Sequence, residues 1–409
     1  MKISIIEFSV ENFKIFKKKV VFSMFARKSK HTFDSNGENL LKTSLIYGPN
    51  ASGKSTLLQA FILLRNGIIN SANNPEGSIL PYQPFMLSSE KDKPVFCEVI
   101  FSLGKKIFKY NFSFLQNEIV TENLFEILSS GKEEKYLTRK KQNIKVFADL
   151  EKSKDVAEVK TRKEVLFLSS ASQWNNELAM QIVDGFKNNI NIISGPDSGN
   201  YRGYTMNLFK KDGNKKDKIL DFLKKADFCI KDGVVEKMEI PEFARKQMST
   251  MGAKNISNEV DTIFFAHNKF DAKGTEIGTT KFNIGDESAG TLKFFDVLGP
   301  IVDTLENGKV LFIDEFDNSL HPYLTKFIIN LFEKNNPKNA QLVVTTHDTS
   351  LLSRKELNKE QFWFTEKDKF GAGNLFSLAE FKTERNDIEF SKRYLEGRFG
   401  ALPFVDLKD

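Results

Sequence analysis

The stretch GPNASGKST, residues 48–56, decides the fold of this 409-residue chain. It matches the pattern G-x-x-x-x-G-K-[ST], the apolar run TSLIY precedes it, and apolar residues on one side predict a helix over 54–67. A glycine-rich turn between a strand and a helix directs backbone N–H groups and the positive end of the helix dipole at phosphate oxygens. The sequence therefore predicts a P-loop formed by Gly48, Pro49, Asn50, Ala51, Ser52, Gly53, Lys54, Ser55 and Thr56.

Two residues of this loop have specific predicted roles. Lys54 is expected to reach the β- and γ-phosphates of a nucleotide, and Ser55 is expected to give its hydroxyl to Mg²⁺. The alternative is a chance match in a glycine-rich turn. The strand before the loop and the helix after it argue against that alternative.

The stretch VLFIDEFD, residues 310–317, predicts a buried strand that ends in two carboxylates. At the carboxyl end of such a strand, Asp314 is suited to hold Mg²⁺ directly or through water. Glu315 is suited to act as the general base that polarises an attacking water. An ordinary acidic strand end is the alternative interpretation.

A third apolar strand, in VVTTHD (343–348), ends at His347. A lone histidine is more often structural, but this strand follows the Asp-Glu strand and should reach the same sheet edge. His347 is therefore predicted to hydrogen-bond the γ-phosphate. Between the two strands, DNSLHP (317–322) directly follows the Asp-Glu pair, and its ordinary interpretation is a loop in which Asn318 or Ser319 caps the next helix.

The stretch ESAGT, residues 287–291, predicts the start of a helix, although glycine and threonine are poor residues inside one. A helix start offers free N–H groups and a positive dipole, which suit an anion. Ser288 adds a hydroxyl, and Gly290 permits close approach of a phosphate. The P-loop lies far upstream and fills its own phosphate site, so the residues alone leave open which phosphate these N–H groups would meet.

Composition narrows the class of protein. Hydrophobic residues make up 40% of the chain and charged residues 28%, which predicts a globular protein. No run of 18 apolar residues occurs in the sequence, so a membrane partner is not expected. The two cysteines, Cys97 and Cys229, lie far apart, so a disulfide and a structural zinc site are both disfavoured, and a cytoplasmic location is expected. The net charge of +6 permits contact with DNA but does not demand it.

Alternating strand and helix patterns predict an α/β fold with a mixed or parallel central sheet and a layer of antiparallel strands. A turn at Gly104-Lys105 predicts a hairpin in that layer. The predicted organisation is an ATPase lobe over 1–149, a compact and mainly helical insertion over 150–257, and a second ATPase lobe over 258–409. Pro300 predicts a kink in the helix that follows ESAGT.

The order of these motifs resembles that of the ABC-type ATPases, including the SMC/Rad50-like enzymes. Closer still are the single-chain bacterial AAA15/AAA21 ATPases, whose ATPase is shared by the overcoming-lysogenization-type nucleases. The stretches that carry this resemblance are FSVENFKIF (8–16), ESAGT (287–291), DEFDNSLHP (314–322) and YLEGRFGALPF (394–404). Two departures, a shortened signature and His321 where transporters carry Asp, are typical of this group and argue against a transporter subunit.

The resemblance implies an ATPase head that sandwiches ATP and Mg²⁺ between two copies of the chain. Ser288 and Gly290 would then act on the partner copy's ATP, Asn318 would lie in the loop that crosses the interface, and His347 would be the switch histidine. Gln83, in PYQPFML, is the candidate for a further glutamine at the metal.

The resemblance also implies a cellular role. Members of the group act as sensor and scaffold components of anti-phage defence systems, together with a separate effector protein. Only about 60 residues follow His347, without the acidic cluster of a Toprim nuclease, so any nuclease is expected to be a separate protein. Two alternatives remain open at this point: an SMC/RecF-like DNA-binding or repair protein, and a scaffold that uses ATP only for assembly.

Overall fold

The computed structural model describes residues 2–89, 92–194, 199–226, 229–252, 257–353, 357–382 and 390–402. The last two residues of the tail stretch 394–404 therefore lie outside the described residues. The strands are β1 Ile3–Glu11, β2 Val20–Ser23, β3 Thr32–Ser35, β4 Glu38–Leu41, β5 Thr43–Tyr47, β6 Val95–Leu103, β7 Lys106–Phe114, β8 Ile119–Ile127, β9 Glu133–Lys140, β10 Asn143–Val146, β11 Ile190–Ile193, β12 Ile230–Glu239, β13 Glu259–Phe270, β14 Glu276–Asn283, β15 Val310–Ile313, β16 Gln341–Thr345, β17 Phe362–Lys367 and β18 Gly373–Ser377. The helices are α1 Lys54–Asn70, α2 Phe167–Gln173, α3 Glu177–Asn188, α4 Gly199–Lys211, α5 Gly213–Lys225, α6 Glu242–Thr250, α7 Ala289–Asn307, α8 Pro322–Lys334 and α9 Phe390–Leu395.

The chain forms two compact units. The first comprises Met1–Gly195, Thr304–Asp317 and Thr325–Asp409, and the second comprises Pro196–Asp303 and Asn318–Leu324. The predicted insertion over 150–257 does not coincide with either unit. Its first part includes β11, which pairs in parallel with β15 and so belongs to the central sheet. Its last part includes β12, which pairs with β13 from beyond the predicted boundary.

The first unit contains a six-stranded sheet in the order β11-β15-β16-β5-β17-β18. All its pairings are parallel except that of β17 with β18. Every residue of β5, β15 and β16 is buried, as in a parallel sheet covered on both faces. Because these three strands run in the same direction, their carboxyl ends meet at one edge of the sheet, which confirms the predicted α/β fold with a mixed sheet.

A seven-stranded antiparallel sheet, in the order β10-β9-β8-β7-β6-β1-β2, forms the second layer of this unit. The predicted hairpin is confirmed between β6 and β7, where Gly104 has a φ of 61°. Phe61 of α1 packs edge-on against Phe8 of β1, with ring centroids 5.2 Å apart, and stacks on Phe312 of β15 at 4.3 Å. Aromatic contacts of this kind stabilise a core by about 1 kcal/mol beyond the burial of their area. They fix α1, and with it the loop before it, relative to both sheets.

The second unit contains the three-stranded sheet β12-β13-β14 and the helix α7. Phe295 of α7 packs against Phe265 of β13, with ring centroids 5.4 Å apart. Helix α7 continues past Pro300, although a proline inside a helix leaves the carbonyl four residues earlier without its usual donor. That carbonyl belongs to Asp296, and the hydroxyl of Thr205 on α4 donates to it at 2.9 Å. Thr205 therefore replaces the hydrogen bond that Pro300 removes.

Among the described residues, no helix combines the length and the apolar character that a membrane span requires.

Candidate nucleotide-binding site

The P-loop connects β5 to α1 in a conformation that only glycine tolerates at two positions. Gly48 has a φ of 151° and Gly53 a φ of 122°. A Cβ atom on Gly53 would lie 2.8 Å from Cδ1 of Ile15 and 2.9 Å from Cζ of Phe16, which is closer than real contacts allow. The loop is thus packed against the connection between β1 and β2, and its path depends on glycine.

A second set of contacts holds the loop from the side of β17. The hydroxyls of Ser52 and Thr365 are hydrogen-bonded at 2.6 Å, and both residues are buried. A Cβ atom on Gly48 would collide with Thr365 and would lie 2.7 Å from Oγ of Ser52. Sequence reasoning missed Thr365, because only strand pairing brings it to a loop more than 300 residues away.

Lys54 begins α1 and is buried. Its Nζ donates to the carbonyl oxygen of Gly48 at 2.7 Å and to that of Pro49 at 3.1 Å. Burial lowers the pKa of Lys54, and the carboxylates of Asp314 and Glu315 act in the opposite direction. The ammonium group therefore lies within electrostatic reach of the acidic end of β15.

Ser55 and Asp314 lie next to each other, as the sequence predicts for residues that share a metal ion. Oγ of Ser55 donates to Oδ1 of Asp314 at 3.1 Å, and the hydroxyl of Thr345 donates to the same oxygen at 2.5 Å. Asp314 is only 8% exposed. A hydroxyl and a carboxylate beside a phosphate-binding loop are oxygen donors of the kind that Mg²⁺ accepts, so these residues fit Mg²⁺ bound together with a nucleotide. No group of three or more His, Cys, Asp or Glu side chains among the described residues is arranged to hold a metal without such a partner.

Glu315 follows Asp314 in a left-handed backbone conformation, with a φ of 50°. This conformation costs a non-glycine residue about 1 kcal/mol or more, and it is common at functional sites. The backbone N–H of Glu315 donates to the hydroxyl of Thr345 at 2.9 Å, so one threonine fixes both acidic residues. Sequence reasoning missed Thr345, although a polar residue in the apolar run before His347 was a signal for it.

His347 lies two residues after the end of β16, and its backbone N–H donates to both carboxylate oxygens of Asp317 at 3.1 Å. Burial, and after it the positive charge of Lys54, lower the pKa of the imidazole, whereas Asp317 and Glu315 act to raise it. The segments that follow β5, β15 and β16 thus bring the cation of Lys54, three carboxylates and the imidazole of His347 into one electrostatic environment.

The titration of His347 tests this arrangement. We expect its midpoint, followed by nuclear magnetic resonance of the imidazole C–H groups, to lie below the ordinary value of 6.5. Lys54→Met should raise the midpoint, because it removes a positive charge that disfavours the imidazolium. Glu315→Gln should lower it further, because it removes a favourable negative charge. Shifts of the same sign in both variants would contradict the arrangement.

Gln83 lies in the loop that follows α1. Its backbone carbonyl oxygen accepts the backbone N–H of Lys14 at 2.8 Å. Together with Lys14 and Gln59 it borders a cavity of about 460 Å³ beside α1. Its role as a metal ligand stays a prediction.

The remaining predicted residues belong to the second unit. Oγ of Ser288 accepts the N–H of Thr291 at 3.1 Å and lies 2.9 Å from the hydroxyl of Thr291, so Ser288 caps α7. Gly290 has ordinary space around it, because a Cβ atom there would lie 3.5 Å from the carbonyl oxygen of Ser319. The side chain of Asn318 accepts the hydroxyl of Ser319 at 3.3 Å.

The cap of α8 differs from the prediction. Neither Asn318 nor Ser319 directly precedes the helix, which begins at Pro322. His321 stands before it, and its Nδ1 accepts the N–H of Tyr323 at 3.3 Å. A proline at the first helical position shifts the cap to the residue before it, which explains the difference.

Solved structures similar to this chain include SMC head domains. The SMC head domain from Thermotoga maritima is 13% identical, with a TM-score of 0.43, over 92% of this chain and 99% of that one. The SMC head bound to the C-winged helix domain of ScpA is 13% identical, with a TM-score of 0.47, over 91% and 97%. The Smc head domain with an extended coiled coil, bound to the C-terminal domain of ScpA derived from Pyrococcus furiosus, is 12% identical, with a TM-score of 0.42, over 97% and 99%.

No curated protein matches the chain in sequence. A family model does match it, over residues 44–229 and 238–353, which include the P-loop, both acidic residues and His347. The chain belongs to that family, which is described as "AAA domain, putative AbiEii toxin, Type IV TA system".

Proposed function

We propose that this protein is an ATPase that binds and hydrolyses ATP, with Mg²⁺, at composite sites between two copies of the chain. The observation that carries the proposal is the 3.1 Å hydrogen bond between Ser55 of the P-loop and Asp314 at the end of β15. These two side chains come from sequence positions more than 250 residues apart and meet where a magnesium nucleotide requires them.

Each residue of the site has a role in this proposal. The backbone of the P-loop and the ammonium of Lys54 bind the phosphates. Ser55 and Asp314 would hold Mg²⁺, which neutralises negative charge on the phosphate oxygens when it is bound. Glu315 accepts a proton from the water that attacks the γ-phosphate. His347, with its lowered pKa, is neutral at pH 7 and can donate one ring N–H to the γ-phosphate.

The composite nature of the site is supported by the start of α7. Ser288 is exposed, and its hydroxyl oxygen accepts an N–H from Thr291. Its hydroxyl also lies 2.9 Å from that of Thr291, and when Thr291 is the donor of that pair, the proton of Ser288 is available to a phosphate. Gly290 leaves space beside it. In the proposed sandwich, the partner copy's Ser288 and Gly290 complete the phosphate site, and the loop at Asn318 lies at the interface.

The direct test is nucleotide binding to the purified chain. Lys54→Met should weaken the binding of ATP by about 100-fold, because it removes charge-assisted hydrogen bonds with a combined contribution of about 3 kcal/mol. Binding is measured by titration calorimetry at several concentrations of Mg²⁺. Lys135→Met, which removes an exposed lysine of β9, should bind ATP as the wild type does. Equal binding by all three proteins would refute the proposed site.

For the cellular role, we propose a sensor and scaffold component of an anti-phage defence system that acts with a separate effector protein. The family's description, which names a toxin of a toxin–antitoxin system, supports a partner-controlled role. The experiment is phage challenge of bacteria that carry the gene with its native neighbours. Protection should disappear with Lys54→Met, and protection that persists without Lys54 would reject the role.

ATP-dependent retention of DNA that weakens steeply with salt would instead favour the DNA-binding alternative.

A further inference from the structure

Two residues beside the start of α7 form a contact that the proposed mechanism does not use. Nε2 of His267, on β13, lies 2.7 Å from Oε1 of Glu287, and both side chains are largely buried. The imidazole also packs edge-on against Phe282 of β14, with ring centroids 5.3 Å apart. The ring is therefore held on one side by an aromatic contact and hydrogen-bonded to a carboxylate.

The position of Glu287 poses an electrostatic problem. It directly precedes Ser288, which caps α7, and the proposed function requires a phosphate to approach the N–H groups at this helix start. A carboxylate beside a helix N-terminus is attracted to those N–H groups. It would therefore compete with the phosphate for them and repel it.

We propose that His267 is a positioning residue that binds the carboxylate of Glu287 and so leaves the start of α7 free for the phosphate of the partner copy's ATP. The inference rests on the proposed function, since it concerns the same composite site. The donor is the N–H on Nε2 of His267, and the acceptor is Oε1 of Glu287. His267 does not touch the nucleotide, so its effect on hydrolysis passes through Glu287.

Substitution of His267 separates this role from a general effect on folding. His267→Leu removes the donor and should lower kcat by about tenfold, with little change in ATP binding by the intact P-loop. His267→Gln keeps an N–H donor of similar reach and should retain most of the wild-type rate. Asn268→Leu, on the same strand, removes a hydrogen bond to Glu276 and should leave kcat unchanged.

A double substitution tests the electrostatic reason. If the unbound carboxylate of Glu287 is what inhibits ATP hydrolysis in His267→Leu, then replacing that carboxylate with a neutral amide should make His267 unnecessary. His267→Leu combined with Glu287→Gln should therefore recover most of the activity that His267→Leu loses. A double variant that is no more active than His267→Leu alone would overturn the proposal.

Mixing experiments separate failure of this inference from failure of the proposed function. In an equimolar mixture of His267→Leu and Lys54→Met, half of the dimers contain one copy of each variant. In such a dimer, one site combines the intact P-loop of the His267→Leu copy with the intact α7 start of the Lys54→Met copy. About a quarter of the wild-type rate should return. A mixture of His267→Leu with Ser288→Arg should gain no activity beyond the residual rate of His267→Leu, because both changes damage the same half of the composite site.

The mixture of Lys54→Met with Ser288→Arg is the control for the composite site itself. If it gains no activity, the sandwich is wrong and the inference falls with it. If it gains activity but the mixture of His267→Leu with Lys54→Met does not, the sandwich stands and the positioning role of His267 is overturned.

Discussion

Glu315→Gln should lower the rate of ATP hydrolysis by about 1,000-fold, while ATP binding stays close to that of the wild type. The amide keeps the shape of the side chain but cannot accept the proton of the attacking water. The backbone of Glu315 is held by Thr345 in its left-handed conformation, and the substitution leaves that hydrogen bond in place. Phosphate release and titration calorimetry measure the two quantities.

Glu315→Gln should also stabilise the assembly in which two copies of the chain hold ATP between them. We expect hydrolysis to release the two copies from each other, so the variant should form a stable ATP-bound dimer or larger oligomer that mass measurement detects. Glu118→Gln, which alters an exposed ion pair with Lys141, is the matched control and should behave as the wild type. Hydrolysis of ATP at the full rate by Glu315→Gln would exclude Glu315 as the general base. Full phage protection by a variant that does not hydrolyse ATP would favour the alternative of a scaffold that uses ATP only for assembly.

Ser288→Arg should lower hydrolysis by at least about 100-fold without weakening the binding of ATP to the single chain. The arginine removes the serine hydroxyl and fills the space that the proposed partner phosphate needs. The cap of α7 is also lost, which costs about 1 kcal/mol of stability and leaves the fold intact because Ser288 is exposed. The measurements are phosphate release, ATP binding and oligomer mass with and without ATP.

The control for the added charge is Ser249→Arg, at an exposed position of α6 in the same unit. It should hydrolyse ATP at the wild-type rate. Two results would contradict the composite site. One is hydrolysis of ATP at the full rate by the monomeric protein, and the other is undiminished hydrolysis by Ser288→Arg.

The features that could be read from the sequence are those that depend on neighbouring residues. The P-loop pattern, the apolar run before Asp314 and the helical spacing after Lys54 each occupy fewer than 20 residues, and each predicted element is present in the structure. Local spacing was sufficient because a strand, a turn and a helix each depend mainly on adjacent residues. The meeting of the carboxyl ends of β15 and β16 at one edge also followed from the general rule for parallel strands.

The features that escaped prediction depend on residues far apart in the chain. Nothing in the stretch INII indicates that β11 pairs with β15 in the central sheet. Thr205 supplies the hydrogen bond that Pro300 removes from α7, and the proline alone predicted only a kink. Capping by His321 was hidden because histidine is an uncommon cap residue.

The sequence by itself determined the chemical groups of the candidate site: the loop predicted to bind phosphate, a hydroxyl and a carboxylate suited to Mg²⁺, and a candidate base beside them. Only the tertiary structure decided how these groups are held. Thr345 bonds to both Asp314 and Glu315, Thr365 closes the loop through Ser52, and His267 binds Glu287. The reason is physical: residue type fixes what a group can donate or accept, whereas strand pairing and packing fix which group it meets.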